Sequence, residues 1–153
     1  MALTFALTER DAEQIGSGSL QPFIEGYDEA FPDLSFLVDV ALIDREQMQL
    51  LNKQQRDIDE PTDVLSFPTF PDFETLREHA RQQPTLLGSI VICPEKAEEY
   101  QESLIQLVHH GLLHLLCYDH ETDFAAWISE ERRILEVLAK HSLHIPPVPY
   151  ESI

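Results

Sequence analysis

The stretch Ser103–Cys117 reads SLIQLVHHGLLHLLC. Leu104, Ile105, Leu107, Val108, Leu112, Leu113, Leu115 and Leu116 would cover nearly the whole circumference of a helix. A helix that is apolar all round belongs inside a protein, so the remaining elements must be built around this one. One narrow line breaks the pattern: Gln106, His110, His114 and Cys117, spaced by four, four and three. Residues at that spacing share a face, with a rise of about 6 Å between the two histidines. Buried imidazoles need partners, and leaving one unsatisfied costs ~1–3 kcal/mol. A shared metal ion would meet the need of both.

A third histidine follows. His110, His114 and His120 fall at relative positions 0, 4 and 10. That is the histidine spacing of the metzincin zinc signature, in which a helix supplies two ligands and the chain turns to bring back a third. Three neutral imidazoles with an open fourth position make a catalytic site rather than a structural one. Zinc is the preferred ion, although nickel and copper also bind imidazole. Asp119 and Asp123 are candidate acceptors for the ring N–H groups. The signature departs at two positions. Gly111 stands where a metzincin carries its catalytic Glu, which speaks against a metallopeptidase. Cys117 stands at the turn Gly and must take that turn with a Cβ present. His109 lies about 100° round the helix from His110 and reads as a non-ligand.

The rest of the chain supplies alternating strands and helices. Strands are expected at Leu3–Thr8, Phe36–Asp44, Asp63–Phe70 and Leu86–Cys93. Pro68 stops the third strand or pushes it to a sheet edge. Helices are expected from Ser19 to Ala30, from Arg45 to Arg56 behind an Asp44/Gln47 capping box, from Pro94, and over Asp123–His141. Pro71–Pro84 reads as an exposed excursion with room for a helical turn, and Ile145–Tyr150 as irregular chain over the surface. The expectation is an α+β fold. A small mixed sheet of about four strands is layered with helices, and the histidine helix is central and buried. With 153 residues, one domain over 1–153 is the natural unit.

Composition narrows the functions. Twenty-eight acidic against ten basic residues give a formal charge of −18, which argues against non-specific coating of nucleic acid. It does not exclude a nuclease, because a metal and a few arginines can govern one cleft. Arg56 closes a helix beside a loop, where its planar fork suits phosphate oxygens; spacing alone favours the plainer reading, a solvated partner for Asp57 or Asp59. Thr62, Asp63 and Ser66 read as turn and strand-edge hydrogen-bonding residues. Cys93 and Cys117 suggest reduced thiols, and no leader or membrane-spanning run is visible, so a cytoplasmic protein is expected.

Three blocks are similar to one family. HGLLHLLCYDH (His110–His120) resembles the H-G-x-L-H-L-x-G-Y-D-H signature of the YbeY-type bacterial endoribonucleases. RDIDEPTDVLSFP (Arg56–Pro68) resembles their R-x-x-D-x-P-T-D-V-L-S-F-P segment, and LGSIVIC (Leu87–Cys93) their L-G-D-I-x-I strand. The blocks keep the family's order, and the resemblance spans about residues 36–138. It implies a zinc-dependent endoribonuclease acting on single-stranded RNA, in maturation of the 16S rRNA 3′ end and in ribosome quality control. Its substrate would be met on a ribosomal particle or through ribosomal proteins. The implied zinc ligands are His110, His114 and His120, with one ion per chain, and the implied catalytic residues are Arg56 and His114. A metzincin-like metallopeptidase and a non-catalytic ribosome-assembly factor with a structural metal are the other readings the residues leave open. Ser89, Cys117 and Gln55 depart from the family's usual Asp, Gly and Tyr.

Overall fold

The computed structural model describes residues 2–147. Four strands, β1 (Leu3–Ala6), β2 (Phe36–Leu42), β3 (Val64–Pro68) and β4 (Thr85–Ile92), form one mixed sheet in the order β1-β2-β4-β3. β1, β2 and β4 run parallel, and β3 closes the edge antiparallel to β4. Pro68 ends β3 on that edge, where the missing N–H costs no ladder bond. β4 slips register against β2 at Leu37/Val38, which leaves Leu87 as an extra residue. Gly88 follows with φ 142°, and a Cβ there would meet the Phe67 carbonyl oxygen at 2.1 Å. The bulge changes the phase of the side chains, so Leu87 as well as Ile90 and Ile92 is buried.

Seven helices surround the sheet among the described residues: α1 (Glu9–Ile15), α2 (Ser17–Ala30), α3 (Arg45–Arg56), α4 (Phe73–Ala80), α5 (Pro94–Glu99), α6 (Leu104–Leu115) and α7 (Phe124–Lys140). The architecture is the expected α+β one. α3 opens with the Asp44/Gln47 capping box, and a second box at Ser103/Gln106 opens α6. α6 lies against β3 and β4, buried from Ile105 to Leu113. α2 and α7 pack on each other so closely that a Cβ at Gly26 would meet the Leu138 side chain at 2.5 Å.

Two segments differ from the sequence reading. α1 was not anticipated; its signal is Thr8, whose hydroxyl caps the Asp11 N–H ahead of an acidic first turn. The Pro71–Pro84 segment is not merely an exposed excursion, because α4 makes two full turns in it. Asp72 caps that helix, and Leu76 and Ala80 line one face and enter the core, a sparse apolar stripe hidden among charges. Downstream of α7, Ile145–Pro147 is irregular, with Ile145 buried and both prolines exposed. Val148–Tyr150, the rest of the expected irregular tail, lies outside the described residues.

Candidate metal centre

Burial on every side of α6 fixes which way each histidine points. Gly111 turns toward the sheet, where a Cβ would press on Ile90 Cγ2 at 2.8 Å. The helix therefore sits closer to β4 than any side chain at 111 would permit, and a catalytic Glu has no room there. His109, fully buried, is turned toward α7, with its Nε2 3.2 Å from Glu131 Oε2. It lies apart from the group formed by His110, His114 and His120.

His110 and His114 point to one side, and the chain turns to bring His120 beside them. The turn is a Schellman closure: the Tyr118 N–H reaches the Leu113 carbonyl at 3.1 Å and the Cys117 N–H the His114 carbonyl at 2.9 Å. Cys117 occupies the left-handed position, φ 73°, that glycine usually takes. Its Sγ lies 3.4 Å from the Phe70 carbonyl oxygen, so the thiol donates to the loop after β3. The other side chains on the expected polar line serve elsewhere. Gln106 completes the Ser103 cap and donates to the Pro147 carbonyl oxygen.

The three imidazoles converge. Ring centres are 5.0 Å apart for His110–His114, 5.4 Å for His110–His120 and 5.3 Å for His114–His120. One potential ligand atom from each lies within 4.8 Å of the others. Three histidines so placed can hold a metal ion. His110 supplies the test of fit. Both its ring nitrogens are buried and have no hydrogen-bond partner. Burial pushes its pKa down to about 2, and the neighbouring His114 and His120 add to the effect. His114 is depressed in the same way by burial and then by His120. Neutral imidazoles with available lone pairs are the form that a metal requires.

Trp127, on the first turn of α7, backs all three rings. Its ring centre is 4.9 Å from His110, 4.9 Å from His114 and 5.0 Å from His120, and it is fully buried. The sequence offered no reason to separate this tryptophan from ordinary core, since it sits on the apolar face of an amphipathic helix. Asp123 caps α7 through the Ala126 N–H, and Asp119 accepts the Glu121 N–H. Both carboxylates thus order the loop that carries His120. The Asp119 charge also partly offsets the depression at His114.

The open side of the cluster is a cleft of about 190 Å³ lined by His110, His114, His120, Ser66, Glu121 and Arg56. Arg56 reaches it from the last turn of α3, which ends at Asp57 in the left-handed conformation, φ 60°. Its expected ion pair with Asp57 or Asp59 does not form; Lys53 approaches Asp59 instead, at 3.8 Å. Asn52, one turn earlier, is buried and donates to the Glu60 carbonyl oxygen, tying the helix end to the loop before β3. A larger hollow of about 670 Å³ lies against α7 near His144 and Pro146. The histidine cluster is nevertheless the better site, because it gathers groups whose burial is unexplained by packing alone. Ser89 lies outside this cleft. It neighbours Ile90, the residue that faces α6, and so points to the opposite side of the sheet.

A family profile described as Endoribonuclease YbeY matches residues 8–139. The Endoribonuclease YbeY of Thermoanaerobacter sp. (strain X514) is 40% identical over 123 residues, covering 67% of this chain and 72% of its own. That of Sulfurovum sp. (strain NBC37-1) is 41% identical over 103 residues, covering 65% and 70%. The solution structure of TM1509 from Thermotoga maritima superposes with a TM-score of 0.52 at 25% identity, covering 92% of this chain and 90% of that one. The matched region contains every element from α1 to α6 and nearly all of α7, and the chain therefore belongs to the Endoribonuclease YbeY family.

Proposed function

We propose that this protein is a metal-dependent endoribonuclease that cleaves single-stranded RNA. The observation that carries the reading is a shared cleft, where the three-imidazole cluster meets an arginine with no ion-pair partner among the described residues. Family membership supports a nuclease acting in rRNA processing. Zinc as the ion, the 16S rRNA 3′ end as the target and a part in ribosome quality control belong to the same proposal.

Each residue has a role that follows from its setting. His110, His114 and His120 would hold the ion, with Trp127 excluding water from behind. When bound, zinc supplies Lewis acidity toward a phosphoryl oxygen and lowers the pKa of water to about 7. Arg56 would bind non-bridging phosphate oxygens through its fork and offset the charge that develops on them. Glu121 and Asp119 are the carboxylates that line the cleft, and so the nearest candidate proton acceptors. Gly111 lies against the sheet and takes no part. The charge of −18 argues that substrate is met on a ribosomal particle or a basic protein rather than captured from bulk RNA. No helix among the described residues is long and apolar enough to cross a membrane.

Arg56→Ala tests the reading. Its guanidinium makes no hydrogen bond or ion pair among the described residues, so melting temperature and metal content should stay at wild-type values, while cleavage of a single-stranded RNA falls by roughly 10²–10³. Undiminished cleavage would refute the role. A 2′,3′-cyclic phosphate end would mean attack by the ribose hydroxyl, and its absence attack by water.

A further inference from the structure

A second hollow, of about 330 Å³, adjoins the cleft, and Ser66, His114 and Asp119 line both, forming a shared wall. Its size falls in the usual range for small-ligand pockets, roughly 300–1,000 Å³. It differs from the first in charge. No lysine or arginine lines it among the described residues, and its walls include Phe70, Tyr118 and two prolines. Such a surface rejects a phosphate and suits a flat, uncharged, aromatic body. Ser66, Asp119 and Thr122 add polar groups able to meet the edge of such a body. The hydroxyls of Ser66 and Thr122 make no hydrogen bond within the described residues, so both remain available.

Phe70 is held in place. The Cys117 thiol donates to its carbonyl oxygen at 3.4 Å, and its ring centre lies 5.1 Å from that of His79. The link runs directly from the turn that delivers His120 to the loop that carries the ring. A glycine at 117 would make the same turn without it.

We propose that this hollow receives the base of the nucleotide attached to the scissile phosphate, with Phe70 as its stacking surface. The proposal rests on the phosphodiester reading above: the phosphate occupies the Arg56 side of the shared wall and the base the Phe70 side. Stacking accepts any base, so the subsite favours an unpaired nucleotide over a particular letter.

Two measurements test it. In the first, zinc-loaded protein cleaves a short single-stranded RNA with a mapped site, and the nucleotide on each side of that site is replaced in turn by an abasic ribose analogue. One of the two replacements should lower kcat/KM about tenfold, mainly through KM. Phe70→Leu, which keeps volume but loses the aromatic face, should cost a similar factor, and combining the two should cost no more than either alone. Full-rate cleavage of both abasic substrates, or additive losses, would overturn the subsite. In the second, the zinc-loaded protein is titrated with the four nucleoside 5′-monophosphates, ribose 5-phosphate and inorganic phosphate. The nucleotides should bind about tenfold more tightly than ribose 5-phosphate, and Phe70→Leu should abolish the difference. Equal affinities would overturn the subsite whether or not RNA is cut. A preference for nucleotides in a protein that cuts no RNA would instead refute the nuclease reading and leave the base site standing.

Discussion

Replacing His110 by leucine separates what the ring costs the fold from what it contributes to the site. Both His110 nitrogens are buried without a hydrogen-bond partner, a state that costs ~1–3 kcal/mol for a polar group. Leucine fills a similar volume, and a volume-conserving swap into a packed site costs up to about 1.5 kcal/mol. In the metal-free protein the variant should therefore be more stable by about 1 kcal/mol, a rise of roughly 2–4 °C in Tm for a chain of this length. Zinc should reverse the order, because wild type gains about 2.7 kcal/mol at a hundredfold excess over Kd and the variant has lost a ligand. The pH dependence has a definite sign. His110 titrates near 2 in the fold against about 6.5 unfolded, so its contribution is present above pH 6.5 and lost as pH falls below it. Metal-free wild type should lose more stability than His110→Leu between pH 6.5 and pH 4.5. Thermal melts by circular dichroism in chelator and in zinc, at several pH values, measure all of this. A variant less stable than wild type by 2 kcal/mol or more in chelator would show that the ring is a packing residue and refute the reasoning. So would equal stabilisation of both proteins by zinc.

Three further outcomes are expected. Trp127 is the only tryptophan and its ring lies about 5 Å from that of every cluster histidine, so one equivalent of Co²⁺ should quench its fluorescence, and His114→Ala should remove the response. Cys117→Gly relieves a left-handed Cβ and should raise Tm by about 2 °C, a gain that calorimetry resolves. Glu102 is buried near Asp63 and its carboxyl is pushed up to about 8, first by burial and then by that neighbour. An acid whose pKa is raised in the fold contributes stability below its unfolded value and loses it as pH rises through 8. Glu102→Gln should flatten the decline in Tm between pH 5 and pH 8.5 and be the more stable protein at the alkaline end, by on the order of 1 kcal/mol.

How much could be read in advance depended on how local each signal was. The histidine helix and the Asp44/Gln47 capping box follow from patterns within a few residues, and the chain folds them as expected; the Ser103/Gln106 box is equally local but is an addition from the structure. The packing of Gly111 on Ile90 could not be read, because it depends on where β4 passes. Trp127 was invisible as part of the site for a similar reason: it lies seven residues beyond His120 in sequence and meets the rings only through the angle at which α7 returns. Arg56 shows the limit from the other side. Spacing favoured a pair with Asp57 or Asp59, but Lys53 lies nearer Asp59 and the left-handed Asp57 turns the loop away. α4 was underestimated because three apolar positions among eight give a weak periodic signal, and only burial of Leu76 and Ala80 reveals it.

The proposed chemistry turns on one ion shared by three rings. Anomalous diffraction at the zinc edge, from crystals grown with the metal, locates that ion directly. A single peak about 2.0–2.1 Å from one nitrogen each of His110, His114 and His120, with Arg56 on its open side, is the predicted result. A peak elsewhere, or one that leaves any of the three histidines uncoordinated, would contradict it.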